Sequence, residues 1–156
     1  MTPAINLAKQ RGLDYELHEY IHDEHAPSYG LEAAEKLGVE AARIFKTLVV
    51  ATESGTLAVA IVPVATTLNV KKMAKALACK KVKMADPKQV ERSSGYVLGG
   101  VSPLGQKKCL TTVIDLSAQD KVTIYVSAGR RGLEIELSPQ QLATTLNARF
   151  ADIADR

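Results

Sequence analysis

Ile44-Phe45-Lys46-Thr47-Leu48-Val49-Val50-Ala51-Thr52 and Leu57-Ala58-Val59-Ala60-Ile61-Val62-Pro63-Val64-Ala65, separated by Glu53-Ser54-Gly55-Thr56, decide how this chain folds. Both runs are apolar, rich in β-branched residues and of strand length, and a glycine sits in the short polar connection. The pair therefore reads as a β-hairpin. One residue breaks the pattern. A lysine inside such a run, Lys46, either guards an edge strand against unwanted pairing or reaches into a cleft, and the hairpin alone leaves both uses open.

Working outward, Thr2-Pro3 is a cap followed by proline at the first helical position, and Gly12 ends a short opening helix. Tyr15, Leu17, Glu19 and Ile21 alternate with Glu16, His18 and Tyr20, as a strand with two distinct faces would. A loop is expected from His22 to Gly30 and a helix from Leu31 to Leu37, closed by Gly38. Beyond the hairpin, a lysine-rich helix is expected from Asn69 to Ala78 and a short strand from Val82 to Met84. Asp86-Pro87 caps a helix running toward Arg92, strands follow at Leu110 to Asp115, Lys121 to Ser127 and Leu133 to Leu137, and Ser138-Pro139 caps the last helix. Hairpins alternate with helices without a βαβ period, and Gly-x-Gly-x-x-Gly is absent, which disfavours a doubly wound sheet. No repeat, low-complexity tract or linker divides the chain.

With 156 residues the chain suits one domain spanning 1–156, and 46% hydrophobic with 24% charged residues argues against disorder. Trp is absent and aromatics are 4%, so an aromatic base-stacking platform is not expected. The first residues lack the pattern of a secretory signal and no segment is apolar enough to span a bilayer, so a cytosolic protein without membrane association is expected. Cys79 and Cys109 have neither C-x-x-C nor paired-histidine spacing and read as reduced thiols. The net charge is only +3, but Asn69 to Ala85 holds six lysines and no acid, and Lys107-Lys108 and Arg130-Arg131 add two basic pairs. Such patches concentrate a polyanion in a salt-dependent way, although a solvated helix face explains Lys71, Lys72 and Lys75 equally well.

Gly99-Gly100-Val101-Ser102-Pro103-Leu104-Gly105-Gln106-Lys107-Lys108 packs three glycines, a proline and no acid into ten residues. Without a Cβ the main chain approaches other groups closely, so this stretch is either a loop whose N–H groups meet a phosphate or oxyanion, or a plain turn with a solvated lysine pair. Taken with Ile44 to Val50 and with Tyr125-Val126-Ser127-Ala128-Gly129-Arg130-Arg131-Gly132-Leu133-Glu134-Ile135, it resembles the YbaK/EbsC family of trans-editing aminoacyl-tRNA deacylases. The likeness runs from Met1-Thr2-Pro3-Ala4 through Lys80-Lys81-Val82 and Met84-Ala85-Asp86 to Phe150-Ala151-Asp152-Ile153. Within that family it is similar to the cysteinyl-tRNA(Pro) deacylase type, itself related to the editing domain inserted in bacterial prolyl-tRNA synthetases. The resemblance implies a compact α/β domain with a mixed, barrel-like sheet surrounded by short helices.

Ester hydrolysis ordinarily uses a nucleophile with a base, yet neither cysteine has an obvious base partner. His18, His22 and His25 cluster in one segment that reads equally as strand face and surface loop, and no metal site is expected from their spacing. The resemblance implies a different solution, in which the thiol of the mischarged cysteine attacks its own ester and releases a thiolactone, without a cofactor. It implies Lys46, Gly99 and Gly100 as the catalytic set, Lys46 at the phosphate or ester and the two glycines offering main-chain groups. Tyr20, Tyr29, Thr47, Ser127 and Glu134 are implied around the aminoacyl pocket, with Ser127 and Glu134 at its rim and the acid as partner of the substrate ammonium. Lys71, Lys72, Lys80, Lys81, Lys107, Lys108 and Arg130 are implied as tRNA contacts, and mischarged proline tRNA and prolyl-tRNA synthetase as partners. Where the family often has Phe and Asp, this chain has Tyr29 and Glu134. Two other functions stay open at this point: a deacylase for alanine or serine that activates water, and a non-catalytic tRNA- or synthetase-binding module.

Overall fold

The computed structural model describes residues 1–25 and 29–156, together with the backbone but not the side chain of Tyr29. In chain order it comprises α1 (Pro3–Gln10), β1 (Tyr15–Glu19), α2 (Tyr29–Leu37), β2 (Phe45–Thr52), β3 (Leu57–Pro63), β4 (Thr67–Leu68), α3 (Val70–Ala76) and β5 (Val82–Met84). It continues with α4 (Pro87–Ser94), β6 (Thr111–Asp115), β7 (Ile124–Arg130), β8 (Leu133–Leu137), α5 (Pro139–Leu146), β9 (Arg149–Ala151) and β10 (Ala154–Asp155). Capping sets the helix starts. Thr2, Asn69, Asp86 and Ser138 each accept a backbone N–H of the first turn, and Asp86 with Gln89 completes a reciprocal capping box.

The hairpin is the centre of a five-stranded sheet ordered β5-β2-β3-β6-β9. β2 pairs antiparallel with β3 and β5, whereas β3–β6 and β6–β9 are parallel, so the sheet is mixed. A second, antiparallel sheet, β1-β8-β7, meets the first where Ile44 bridges Tyr125, giving the strand layer its curl. Side chains alternate across both layers. Phe45, Val49 and Ile61 of the first sheet and Val126, Ile135 and Leu137 of the second share the main core with α1, α4 and α5. Val50, Ala60 and Val62 point the other way and pack under Met73 of α3. The opposite face of the second sheet carries Tyr125, Ser127, Glu134 and Glu136, and this is the face that meets the site.

Several expectations shift. The helix expected from Leu31 begins at Tyr29, before the expected loop ends, and Gly38 does terminate it at a φ of 69°. The strand expected from Lys121 to Ser127 runs Ile124 to Arg130, because a 3-10 turn at Leu116–Ala118 holds the Lys121 N–H and a bulge after Ser127 carries the strand onward. The first strand ends at Glu19 and its apolar face is not buried: as an edge strand it leaves Leu17 exposed while His18 is half-buried. β4, β9 and β10, each of two or three residues, are additional to the strands expected from the sequence.

Candidate functional site

A cavity of about 420 Å³ opens between the β2 edge, the far face of β7 and β8, and the segment after α4. Its existence follows from a mismatch in strand length. β3 accompanies β2 from Phe45 to Ala51, but β5 reaches only Val50 to Thr52. Just past β5, the Ala85 N–H donates to the Val49 carbonyl at 3.0 Å, so the odd-numbered residues of β2 direct their backbone groups to that side. Thr47, two residues earlier, does the same where no strand remains, and its buried Oγ1 has no hydrogen-bond partner among the described residues. The cleft thus has polar groups of β2 in its wall, and polar groups left in such a place stand ready for a ligand.

Lys46 lies on the other side of β2 from Thr47, and its Nζ curls round to donate to the Thr66 carbonyl at 2.6 Å. One of three N–H bonds is so used, which fixes the ammonium and leaves two donors. Burial lowers its pKa from the ordinary lysine value. Across the cleft Glu134 of β8 stands between Ser127 of β7 and His18 of β1 in register. It is only 8% exposed, and burial pushes its carboxyl up to about 8. Burial likewise raises Tyr20, and the nearby Glu134 and Glu32 add to that.

Lys46, Thr47, Tyr20, Gly99, Ser127 and Glu134 all line the one cavity, although they come from five separate segments. Tyr20 is placed by its N–H on the Gly132 carbonyl, at 3.0 Å. Glu134, expected at the rim, is instead buried, and its desolvation favours the protonated carboxyl. Gly100, expected beside Gly99, lies outside the lining. Its N–H closes a turn on the Val97 carbonyl, and a Cβ there would stand 2.9 Å from Arg130 Cα. Most of the glycine-containing stretch is structural in the same way. Ser102 and Leu104 are fully buried, and a Cβ on Gly105 would meet the Pro3 carbonyl carbon at 2.6 Å. Tyr29 heads α2 next to the lining residue Gly30, and its side chain falls outside the described residues.

The basic residues divide. Lys71, Lys80, Lys81, Lys107 and Lys108 are exposed, but Lys72 binds Asp152 at 3.0 Å and the Ala154 carbonyl, and Arg130 approaches Glu19 at 3.6 Å. Arg131, not Arg130, lines the cavity. Sequence reasoning singled out neither Arg131 nor Thr66. The first needed the bulge that turns the β7–β8 connection, and the second contributes only a main-chain oxygen, which no residue pattern reveals. Met84 and Leu98 add an apolar rim. Neither cysteine and none of the three histidines is in the lining.

The sequence profile of the aminoacyl-tRNA editing domain matches residues 23–145. Over 155 residues, 99% of this chain and 94% of the relative, the chain is 39% identical to EbsC of Enterococcus faecalis, whose name assigns it provisionally as a Cys-tRNA(Pro)/Cys-tRNA(Cys) deacylase. It is 29% identical over 112 residues, 72% of this chain and 71% of the relative, to the uncharacterized protein YwhH of Bacillus subtilis. A crystal structure of a protein described as hypothetical superposes with a TM-score of 0.87 at 28% identity, covering 99% of this chain and all of that one. The crystal structure of a candidate trans-editing enzyme for prolyl-tRNA synthetase also gives 0.87, at 22% identity with 99% and 96% covered, a likeness of fold. With its strand layer curled around a cleft of this make-up and the profile spanning most of its length, the chain belongs to the aminoacyl-tRNA editing domain family.

Proposed function

We propose that this protein removes cysteine from mischarged cysteinyl-tRNA(Pro) in trans, in the cytosol beside prolyl-tRNA synthetase, and that the substrate's own thiol is the nucleophile. The observation that carries the reading is the make-up of the cleft. It gathers an anchored ammonium, an open β-strand edge and a buried carboxyl, and its lining holds neither cysteine nor histidine. The 39% identity to a relative named for this substrate supports the amino acid. The need is physical: a synthetase pocket separates side chains of similar size by only about 1–3 kcal/mol, so a second site must clear the error.

In the step proposed, the cysteine sulfur, having lost its proton, bonds to the ester carbonyl carbon and the bond to the ribose oxygen breaks. That oxygen takes up a proton, and water then opens the thiolactone to free cysteine. The two remaining Nζ–H bonds of Lys46 and the main chain at Gly99 serve the developing oxyanion, while Thr47, Tyr20, Ser127 and Glu134 hold the aminoacyl group. Arrival of the substrate ammonium favours the ionised form of Glu134, so binding is coupled to release of its proton.

The test is to supply proline tRNA charged separately with cysteine, S-methylcysteine, alanine, serine and proline. Cysteine is released fast and S-methylcysteine is retained, since a thioether cannot close the ring. The double variant Cys79→Ala/Cys109→Ala keeps its activity. Efficient release of S-methylcysteine, alanine or serine would replace this reading with water activated by the protein, and absence of any release, with intact tRNA binding, would leave a binding module.

A further inference from the structure

A second hollow of about 280 Å³ lies against the face of α4 next to the one that lines the cleft. Val90 of α4 lines the cleft, whereas Gln89, Arg92 and Ser93 line the second hollow, with Lys108 beside them and Leu57 and Leu110 forming an apolar floor. Its lining includes two cations and no acid. Neither Arg92 nor Lys108 has an ion pair among the described residues, in contrast with Lys72 and Arg130.

The hollow is also pre-organised. The negative end of the α4 dipole points toward it and would by itself repel an anion. Its terminal carbonyls are, however, already satisfied: Gly95 donates to Glu91, Lys108 to Ser93 and Lys107 to Ser94, at 2.9, 3.0 and 3.1 Å. These bonds clamp the Lys107-Lys108 backbone onto the helix end, and the Lys107 stem lies 3.1 Å from where a Gly95 Cβ would stand. Lys108 is therefore held at the hollow by a main-chain bond, and its charge is not spent on the helix.

We propose that this hollow is an anion subsite for a backbone phosphate of the same RNA strand whose 3′ end enters the cleft, so that the strand passes over α4. The inference rests on the deacylase reading for the identity of the strand. A helix is about 10–12 Å across, a distance that a few extended nucleotides cover. Arg92 and Lys108 contribute affinity through counterion release, and Gln89 and Ser93 offer neutral polar groups.

The test uses the intact protein and an uncharged, fluorescently labelled RNA minihelix ending in CCA, with binding followed by anisotropy over a salt series. Arg92→Glu/Lys108→Glu weakens binding at least tenfold at low salt and reduces the slope of log affinity against log salt by about 0.7, the value for one lost phosphate contact on a single strand. Lys9→Glu on α1 changes net charge equally per site and leaves the affinity as in the wild type. Arg92→Gln/Lys108→Gln, checked for native circular dichroism, gives the same direction with a smaller loss. Unchanged affinity and slope in the folded variants would overturn the subsite. So would minihelix binding that is unaffected while inorganic phosphate stabilises the wild type and not the variants, which would mark a free-phosphate site. Because uncharged RNA needs no chemistry, a wild type that binds the minihelix but releases no cysteine sinks the deacylase reading alone.

Discussion

Two buried glutamates a short distance apart have opposite electrostatic fates. Glu32 on α2 is 6% exposed and Glu134 on β8 is 8% exposed. Burial opposes the charge of Glu32, but His22 Nδ1 at 2.7 Å, the Asp23 N–H at 2.6 Å and Lys36 at 3.1 Å more than offset it and hold the carboxyl at about 2. Glu134 is also penalised by burial, has no such partner among the described residues and is pushed up to about 8. The first strap ties the segment after Tyr20 onto α2, helped by a Lys36 bond to the Ile21 carbonyl. Polar groups bound to one another build the frame of the site, whereas Thr47 Oγ1, without a hydrogen-bond partner among the described residues, and the desolvated carboxyl of Glu134 face the cavity.

The sharpest way to break this division is at Lys46, which is fixed by one bond yet reaches the cleft. Lys46→Ala is expected to lower kcat/KM for cysteinyl-tRNA(Pro) by about 10²–10³-fold, the range for loss of one positioned donor to a developing oxyanion, with stability changed by less than about 1 kcal/mol. Lys46→Arg is also poor, because a planar fork does not replace a compact ammonium. A large fall in the urea midpoint with unaltered kcat/KM would move Lys46 to the frame.

Glu32→Ala should do the reverse, removing on the order of 3 kcal/mol of stability by stranding its buried partners, as read from urea unfolding. The sign of its pH dependence is fixed by the lowered pKa. Its contribution is complete above the ordinary 4.5 and is lost as pH falls through about 2, so wild type and variant converge in acid. A variant as stable as the wild type at pH 7 would show that the strap is not a frame element.

The last test, Glu134→Gln, bears on how stability depends on pH. A carboxyl raised from 4.5 to about 8 on folding binds more protons in the folded than in the unfolded state, so it makes the protein less stable as pH rises through that window. Glutamine removes this decline, up to about 1.4 kcal/mol per pH unit, and the stability curve of the variant is flatter between those limits. Superimposable curves would mean that Glu134 has an ordinary pKa, and the contrast with Glu32 would be lost.

What was legible beforehand follows the range of the forces involved. The hairpin, the Val82–Met84 and Leu133–Leu137 strands and the caps at Thr2, Asp86 and Ser138 were readable because alternation and capping are local, spanning a turn or a strand. Lys46 was marked by its misfit to its own run. Which of its two uses applied was not, since that depends on β5, far downstream in the chain, ending where Met84 pairs with Val50. The glycines show the same limit. Gly99 and Gly100 are alike as neighbours in sequence, yet one lines the cleft and the other is filled by Arg130 backbone.

The sequence by itself determined the mixed α/β class, the elements with strong periods or caps, and through its motifs the family. Tertiary structure alone decided the parallel pairing of β3 with β6, the choice of Arg131 over Arg130, and the protonation of Glu134. The reason is common to all three. Strand register, side-chain direction past a bulge and the desolvation of a carboxyl are set by groups that come near only when distant segments pack, and no local pattern encodes that proximity.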